Sequence, residues 1–105
     1  MKVGFTQSNQ YSESIARKYI VTNVPVKSVA TFIETQYEHF DKKRKDAIKG
    51  YRLWFVQEGI NPFIVKFEKK PKLPSFLSII EFENLQGIEI RNNVYFKADG
   101  IKVVK

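Results

Sequence analysis

The stretch Tyr51-Arg52-Leu53-Trp54-Phe55-Val56 decides how the rest of the chain is read. Its aromatic and apolar residues predict a strand with apolar groups on both faces, Tyr51, Leu53 and Phe55 on one and Arg52, Trp54 and Val56 on the other. A strand of that kind belongs in the middle of a sheet. It also holds the only Trp and lies at the centre of the chain's charge. From Lys42 to Lys72 there are ten Lys or Arg against three acids, Asp46, Glu58 and Glu68. Outside that window the two signs balance at eight each, so the whole net charge of +7 falls within 31 residues.

Downstream of this stretch, Gln57 to Pro62 reads as a turn and Phe63 to Glu68 as the next strand, with Phe63, Val65 and Phe67 facing one way and Ile64, Lys66 and Glu68 the other. Lys69 to Pro74 is a stiff basic connection, because its two prolines lack N–H donors and restrict the residues before them. Phe76 to Phe82, Ile88 to Arg91 and Val94 to Ala98 are predicted strands, with a turn at Asn84 to Gly87. Asp99-Gly100 is the strongest hairpin signal, leading to a terminal strand at Ile101 to Val104.

Upstream, Val3 to Thr6 predicts a short strand, Gln7 to Ser14 a polar loop and Ile15 to Thr22 a second strand. Asn23-Val24-Pro25 resembles a helix entrance. Val26, Val29, Ala30, Ile33, Tyr37 and Phe40 follow at spacings of three and four, which predicts an amphipathic helix ending near Phe40 or Asp41. Asp41 to Gly50 either extends that helix or forms a charged loop. The sum is a single α+β domain, rich in β structure: one main helix and about six to seven short strands, arranged as a small curled sheet or an oligonucleotide-binding (OB)-like barrel, since closure covers sheet edges.

Composition narrows the chemistry. With 105 residues, 43% hydrophobic and nine Phe, the chain is expected to fold as one domain. The absence of Cys excludes a disulfide framework and a zinc–thiolate site. The N-terminus reaches polar residues without a long apolar run, so neither a signal peptide nor a membrane segment is expected, and the cytoplasm fits. His39 is the only histidine, the serines lack a nucleophile-elbow context, and no glycine belongs to a phosphate-cradling motif. Glu81, Glu83 and Glu89 are the one carboxylate grouping to consider for an ion or an acid–base pair. A non-enzymatic protein without cofactor or metal is expected.

Binding has a positive signal. Arg52 and Trp54 share a strand face, and Lys66 shares one with Ile64, the mixture of cations and flat rings that suits single-stranded nucleic acid. The candidate contacts are Lys42, Lys43, Arg44, Lys45, Lys49, Arg52, Trp54, Lys66, Lys69, Lys70 and Lys72, with Trp54 or Tyr51 stacking on bases. The structural alternative is that Trp54 and Tyr95 are core or support residues and only the charges are exposed, and for Trp54 a core position is the more common outcome. A second class of function is a phage- or plasmid-encoded inhibitor or adaptor that presents the same basic surface to an acidic host protein. A third is a structural subunit that assembles through an exposed strand edge.

The order DKKRKDAIKGYRLWF, NPFIVKF, IIEFENL and VYFKADGIKVV resembles that of small accessory proteins of Gram-positive conjugative elements and plasmids, helicase processivity factors among them. The matching positions are Tyr51-Arg52, Ile64-Val65-Lys66, Glu81-Phe82-Glu83-Asn84 and Tyr95-Phe96-Lys97-Ala98-Asp99-Gly100-Ile101, with Gly100 standing where the family pattern has an acid. The resemblance covers roughly the last 65 residues. It implies an accessory role at single-stranded DNA in replication or transfer of a mobile element, beside a helicase or relaxase, and it assigns no catalytic residue.

Overall fold

The computed structural model describes the backbone of residues 1–40 and 44–105, and the side chains of these except Phe5, 38–40 and 44–47. Strands β4 (Arg44–Gln57) and β5 (Ile60–Phe67) form its central hairpin, turning at Glu58 and Gly59. Gly59 has φ +102°, a backbone setting that favours glycine. The other strands are β1 (Lys2–Gln7), β2 (Val26–Ser28), β3 (Glu34–Phe40), β6 (Ile79–Glu83), β7 (Gln86–Ala98) and β8 (Gly100–Val103). Their sheet order is β1-β7-β5-β4-β2-β6-β8, with β3 also paired to β4. All neighbours run antiparallel except β5 and β7. Among the described residues the fold is therefore mixed α+β, strand-rich, with one sheet and one helix, α1 (Glu13–Tyr19).

The alternation expected of β4 and β5 holds. Leu53, Phe55, Phe63, Val65 and Phe67 are buried, while Arg52, Trp54, Ile64 and Lys66 point the other way. Phe55 lies at the centre, its ring edge-on to Phe82 at 4.8 Å and 6.2 and 6.5 Å from Phe63 and Phe67. Ile80 of β6, Leu85 from the turn that follows, and Val94 and Phe96 of β7 complete this core.

Two expectations on the N-terminal side are reversed. Residues 13–19 form the helix, not a strand. Ser12 caps it by accepting from the Ile15 N–H at 3.2 Å, Glu13 lies in its first turn, and Arg17 and Lys18 lie in its last, each placed to suit the helix dipole. Ala16 and Ile20, four residues apart, are buried together. The expected helix from Val26 to Phe40 is instead β2 and β3. Its β-branched residues, Val26, Val29, Thr31, Ile33 and Thr35, lose side-chain freedom in a helix and suit extended backbone. Buried Gln57 fixes the turn between α1 and β2, donating to the Val21 and Val24 carbonyls at 2.8 Å each and accepting from the Val21 N–H at 3.3 Å.

Three boundaries also move. The expected strand from Phe76 begins only at Ile79, because Ser75 to Ser78 form a turn in which Leu77 has φ +71°. The two strands expected at Ile88–Arg91 and Val94–Ala98 are one strand, β7, with Arg91 at φ +56° inside it. Asp99-Gly100 does not fold β8 back on β7. It is a corner: the end of β7 pairs β5, and β8 leaves to pair β6. Asp99 anchors the corner by donating its N–H to the Glu83 carbonyl at 2.8 Å and accepting from Asn84 at 3.1 Å. Of the segment 41–50, residues 44–50 belong to β4, and 41–43 fall outside the described residues. Among the described residues no helix is long and apolar enough to cross a membrane.

α1 docks on the N-terminal half of β7 through a partly buried polar contact. Glu89 accepts from Lys18 Nζ at 2.8 Å and from the Tyr19 hydroxyl. These bonds hold its carboxyl below the ordinary Glu range. A carboxylate whose folded pKa is depressed stabilises the fold above its unfolded pKa and loses that contribution as pH falls through the folded value. The thermal midpoint is therefore expected to fall on acidification from pH 5 to 3. Glu89→Gln should flatten that decline when melting is followed by circular dichroism across the same range.

Candidate nucleic-acid interface

The outward face of β4, β5 and β7 assembles two parallel rows. Trp54 is paired with Ile64, and Tyr95 follows on β7 one residue before the partner of Val65. Two residues along, Arg52 is paired with Lys66, and Lys66 with Lys97. Because strand residues on one face recur every second position, an apolar–aromatic row lies about 7 Å from a cationic row, with about 4.8 Å between strands. Trp54 is 36% and Tyr95 47% exposed, enough for a planar ligand to reach both. A cavity of about 420 Å³ opens between them, lined also by Tyr11, Gln36, Ile64 and Arg52.

Neighbouring elements hold these groups in place. Glu34 on β3 accepts from Arg52 Nη2 at 2.8 Å and from the Trp54 indole N–H at 3.0 Å, so one carboxylate orients a guanidinium and a ring. Gln36 is paired with Gly50 and Tyr37 with Ile48, which leaves Lys49 as the extra residue of a bulge. A bulge re-aims its side chain. Here Lys49 lines a depression of about 220 Å³ with Lys66, Lys97, Tyr11 and the carboxylates of Glu68 and Asp99. Gly50 leaves room beneath: a Cβ there would stand 3.0 Å from both Lys66 Cε and the Phe67 carbonyl oxygen.

The electrostatics of this corner favour an anion. Partial burial, with Lys49, Lys97 and Arg52 nearby, holds the Lys66 ammonium below its usual lysine value, and Glu68 offsets this only in part. Lys97 Nζ stands 4.6 Å from the centre of the Tyr11 ring. Burial and the neighbouring Tyr95 push the Tyr11 hydroxyl up. Lys49, Lys66 and Lys97 have no ion pair among the described residues. A phosphate placed there would meet three ammonium groups, opposed by the Glu68 and Asp99 carboxylates that line the same depression.

Of the expected contacts, Lys49, Arg52, Trp54 and Lys66 come together on this face. Tyr51 does not join them: it is half-buried on the opposite face of β4, with Leu53 and Phe55. Lys69, Lys70 and Lys72 are exposed on the connection between β5 and β6. Lys42 and Lys43 fall outside the described residues. Arg44 and Lys45 lie on the part of β4 that extends past β5 and pairs only β3, with side chains outside those described. Lys97, Tyr11 and Gln36 were not expected here. The alternation Val94, Phe96 and Ala98 against Tyr95 and Lys97 is a legible signal for Lys97. Tyr11 and Gln36 carry none, since each arrives from a distant segment.

The carboxylate grouping separates. Glu89 is engaged by Lys18 and Tyr19, whereas Glu81 and Glu83 are exposed on β6. Among the described residues no three His, Cys, Asp or Glu side chains are grouped to hold a metal ion. His39 lies on β3 rather than on a helix, with its side chain outside those described. Compared with protein-family models, curated proteins and solved structures, the chain finds no match.

Proposed function

We propose that this protein is a non-enzymatic accessory protein that binds single-stranded DNA across the outward face of β4, β5 and β7. The observation that carries the reading is the pair of rows: bases stack along Trp54, Ile64 and Tyr95 while phosphates lie along Lys66, Lys97 and Lys49. Stacking needs only a π-face, so the main platform binds bases of any kind. A duplex hides its base faces and does not fit such a shallow surface.

The strand order supports an OB-like barrel as the scaffold. Pairing runs from β7 through β5, β4, β2 and β6 to β8, and β8 is the continuation of β7 past the Asp99 corner. On this reading the ring closes through one bent strand. Its second and third members, β4 and β5, carry the rows, the face on which OB barrels receive oligonucleotides. The resemblance to accessory proteins of conjugative elements extends the proposal to replication or transfer of a mobile element beside a helicase or relaxase.

The test is fluorescence anisotropy of a labelled single-stranded oligonucleotide, competed with duplex, while Trp54 emission is followed. Saturable, salt-sensitive binding with quenching of Trp54 is expected. Trp54→Ala should weaken binding by about 5- to 150-fold, the equivalent of about 1–3 kcal/mol for one stacked base. No binding at low salt would overturn the proposal and turn attention to an acidic protein partner for the same surface.

A further inference from the structure

We infer that the connection between β5 and β6, from Lys69 to Ser78, docks on an anionic lipid surface, its leucines and phenylalanine entering the acyl boundary while its lysines engage the headgroups. The observation is an inverted placement of apolar side chains. Pro74 is buried, yet its larger neighbours Leu73, Phe76 and Leu77 are turned to solvent, Phe76 with 58% and Leu77 with 52% of its surface exposed. Apolar residues exposed singly are ordinary, but three within five positions of one loop form a patch.

The loop is built to hold them there. Leu77 takes φ +71°, a left-handed setting that a bulky side chain rarely adopts. Its N–H donates to the Ser28 carbonyl at 2.6 Å, and Ser78 donates to the Ser75 carbonyl from its N–H at 3.0 Å and from its hydroxyl at 2.7 Å. Pro71 and Pro74 stiffen the approach to this turn. A strained backbone persists only where its surroundings impose it. Here it leaves Leu77 more than half exposed, so burial of that side chain within the fold is not what the strain serves.

Charge and composition select the occupant. Lys69, Lys70 and Lys72 are exposed and form no ion pair among the described residues, and no acid lies between Glu68 and Glu81. Where the loop rejoins the sheet, Lys27 is paired with Ile79, and the Lys105 carbonyl accepts from the Ile79 N–H at 2.8 Å, so each neighbouring segment adds a lysine. A second copy of the chain would bring the same cations and be repelled. Single-stranded nucleic acid gains little from Leu73 and Leu77, which offer no π-face to a base. A protein partner fits less well, because lysine is depleted at protein interfaces and the loop lacks the Trp, Tyr and Arg that anchor them. On a lipid surface both kinds of side chain are used: the ammonium groups stay with anionic headgroups while Phe and Leu sink below them.

The test is co-sedimentation of the full chain with vesicles of phosphatidylcholine alone or with about one-third phosphatidylserine. Binding to the anionic vesicles only is expected. Changing Lys69, Lys70 and Lys72 together to Gln should weaken it about 100-fold, at about fivefold per lysine. Phe76→Ser with Leu77→Ser keeps the net charge and should still weaken it roughly tenfold or more, with thermal melts confirming the fold and single-strand DNA affinity unchanged. In a chain carrying Trp54→Phe and Phe76→Trp, the one indole should shift its emission to the blue on anionic vesicles. Equal vesicle binding by the original chain and the double serine variant, or an unshifted indole, would mean that net charge alone attracts the protein and would overturn the proposal. No binding to anionic vesicles at low salt would overturn it too, and make an acidic, apolar protein segment the occupant to test.

Discussion

Phe55→Ala is expected to reduce stability by about 3–5 kcal/mol, the usual effect of removing a large aromatic from a packed core. Phe55 has no exposed surface, and its ring meets those of Phe63, Phe67 and Phe82. Its backbone is paired on both sides, with Ser28 of β2 and Phe63 of β5, so little can collapse into the space left behind. Domains of this size are stable by only about 5–15 kcal/mol, and each kcal/mol moves the midpoint by about 4–8 °C. A fall of roughly 12–40 °C should follow. Urea unfolding monitored by far-ultraviolet circular dichroism measures it directly, and Phe55→Leu, which keeps most of the buried area, should lose clearly less. A loss below about 1 kcal/mol for Phe55→Ala would mean that the sheet does not curl around this ring.

The same residue shows why part of the fold was legible. Period-two alternation is unambiguous where both faces matter, as in Leu53 and Phe55 against Arg52 and Trp54, and in Phe63, Val65 and Phe67 against Ile64 and Lys66. It fails where short elements satisfy two periods at once. Ile15, Arg17, Tyr19 and Val21 alternate like a strand, yet Ile15 and Tyr19, or Ala16 and Ile20, are also four apart as a helix requires. The Ser12 cap and the charge order from Glu13 to Lys18 were the signals that settle it. Conversely, Val26 to Phe40 carries a helical spacing that its β-branched content opposes. Asp99-Gly100 has the composition of a hairpin turn, but whether a chain folds back or turns a corner depends on which strand edges are free, and no local pattern records that.

The candidate site divides along the same line. Trp54, Arg52 and Lys66 were accessible from alternation within single strands. Tyr11, Gln36 and Glu34 reach the face from segments whose position depends on the fold as a whole. Lys49 depends on a bulge, a one-residue slip in pairing that the sequence does not announce.

That dependence leads to the second large effect. Neutralising Lys49, Lys66 and Lys97 together by Lys→Gln is expected to weaken single-strand binding by about 100-fold at 0.1 M salt. Each phosphate contact on a single strand contributes about 0.7 to the slope of log affinity against log salt. Three contacts removed should lower that slope by about 2, and over the decade from 0.1 to 1 M salt this amounts to about two decades of affinity. A matched variant with Lys69, Lys70 and Lys72 changed to Gln has the same net charge but alters residues on the β5–β6 connection. It should lose less, because these lysines are not among the residues paired in the cationic row. Salt titrations of the two triple variants against one oligonucleotide therefore separate local phosphate contact from overall positive charge. Equal losses would mean that net charge alone drives association and that the cationic row of β4, β5 and β7 is not the path of the phosphates.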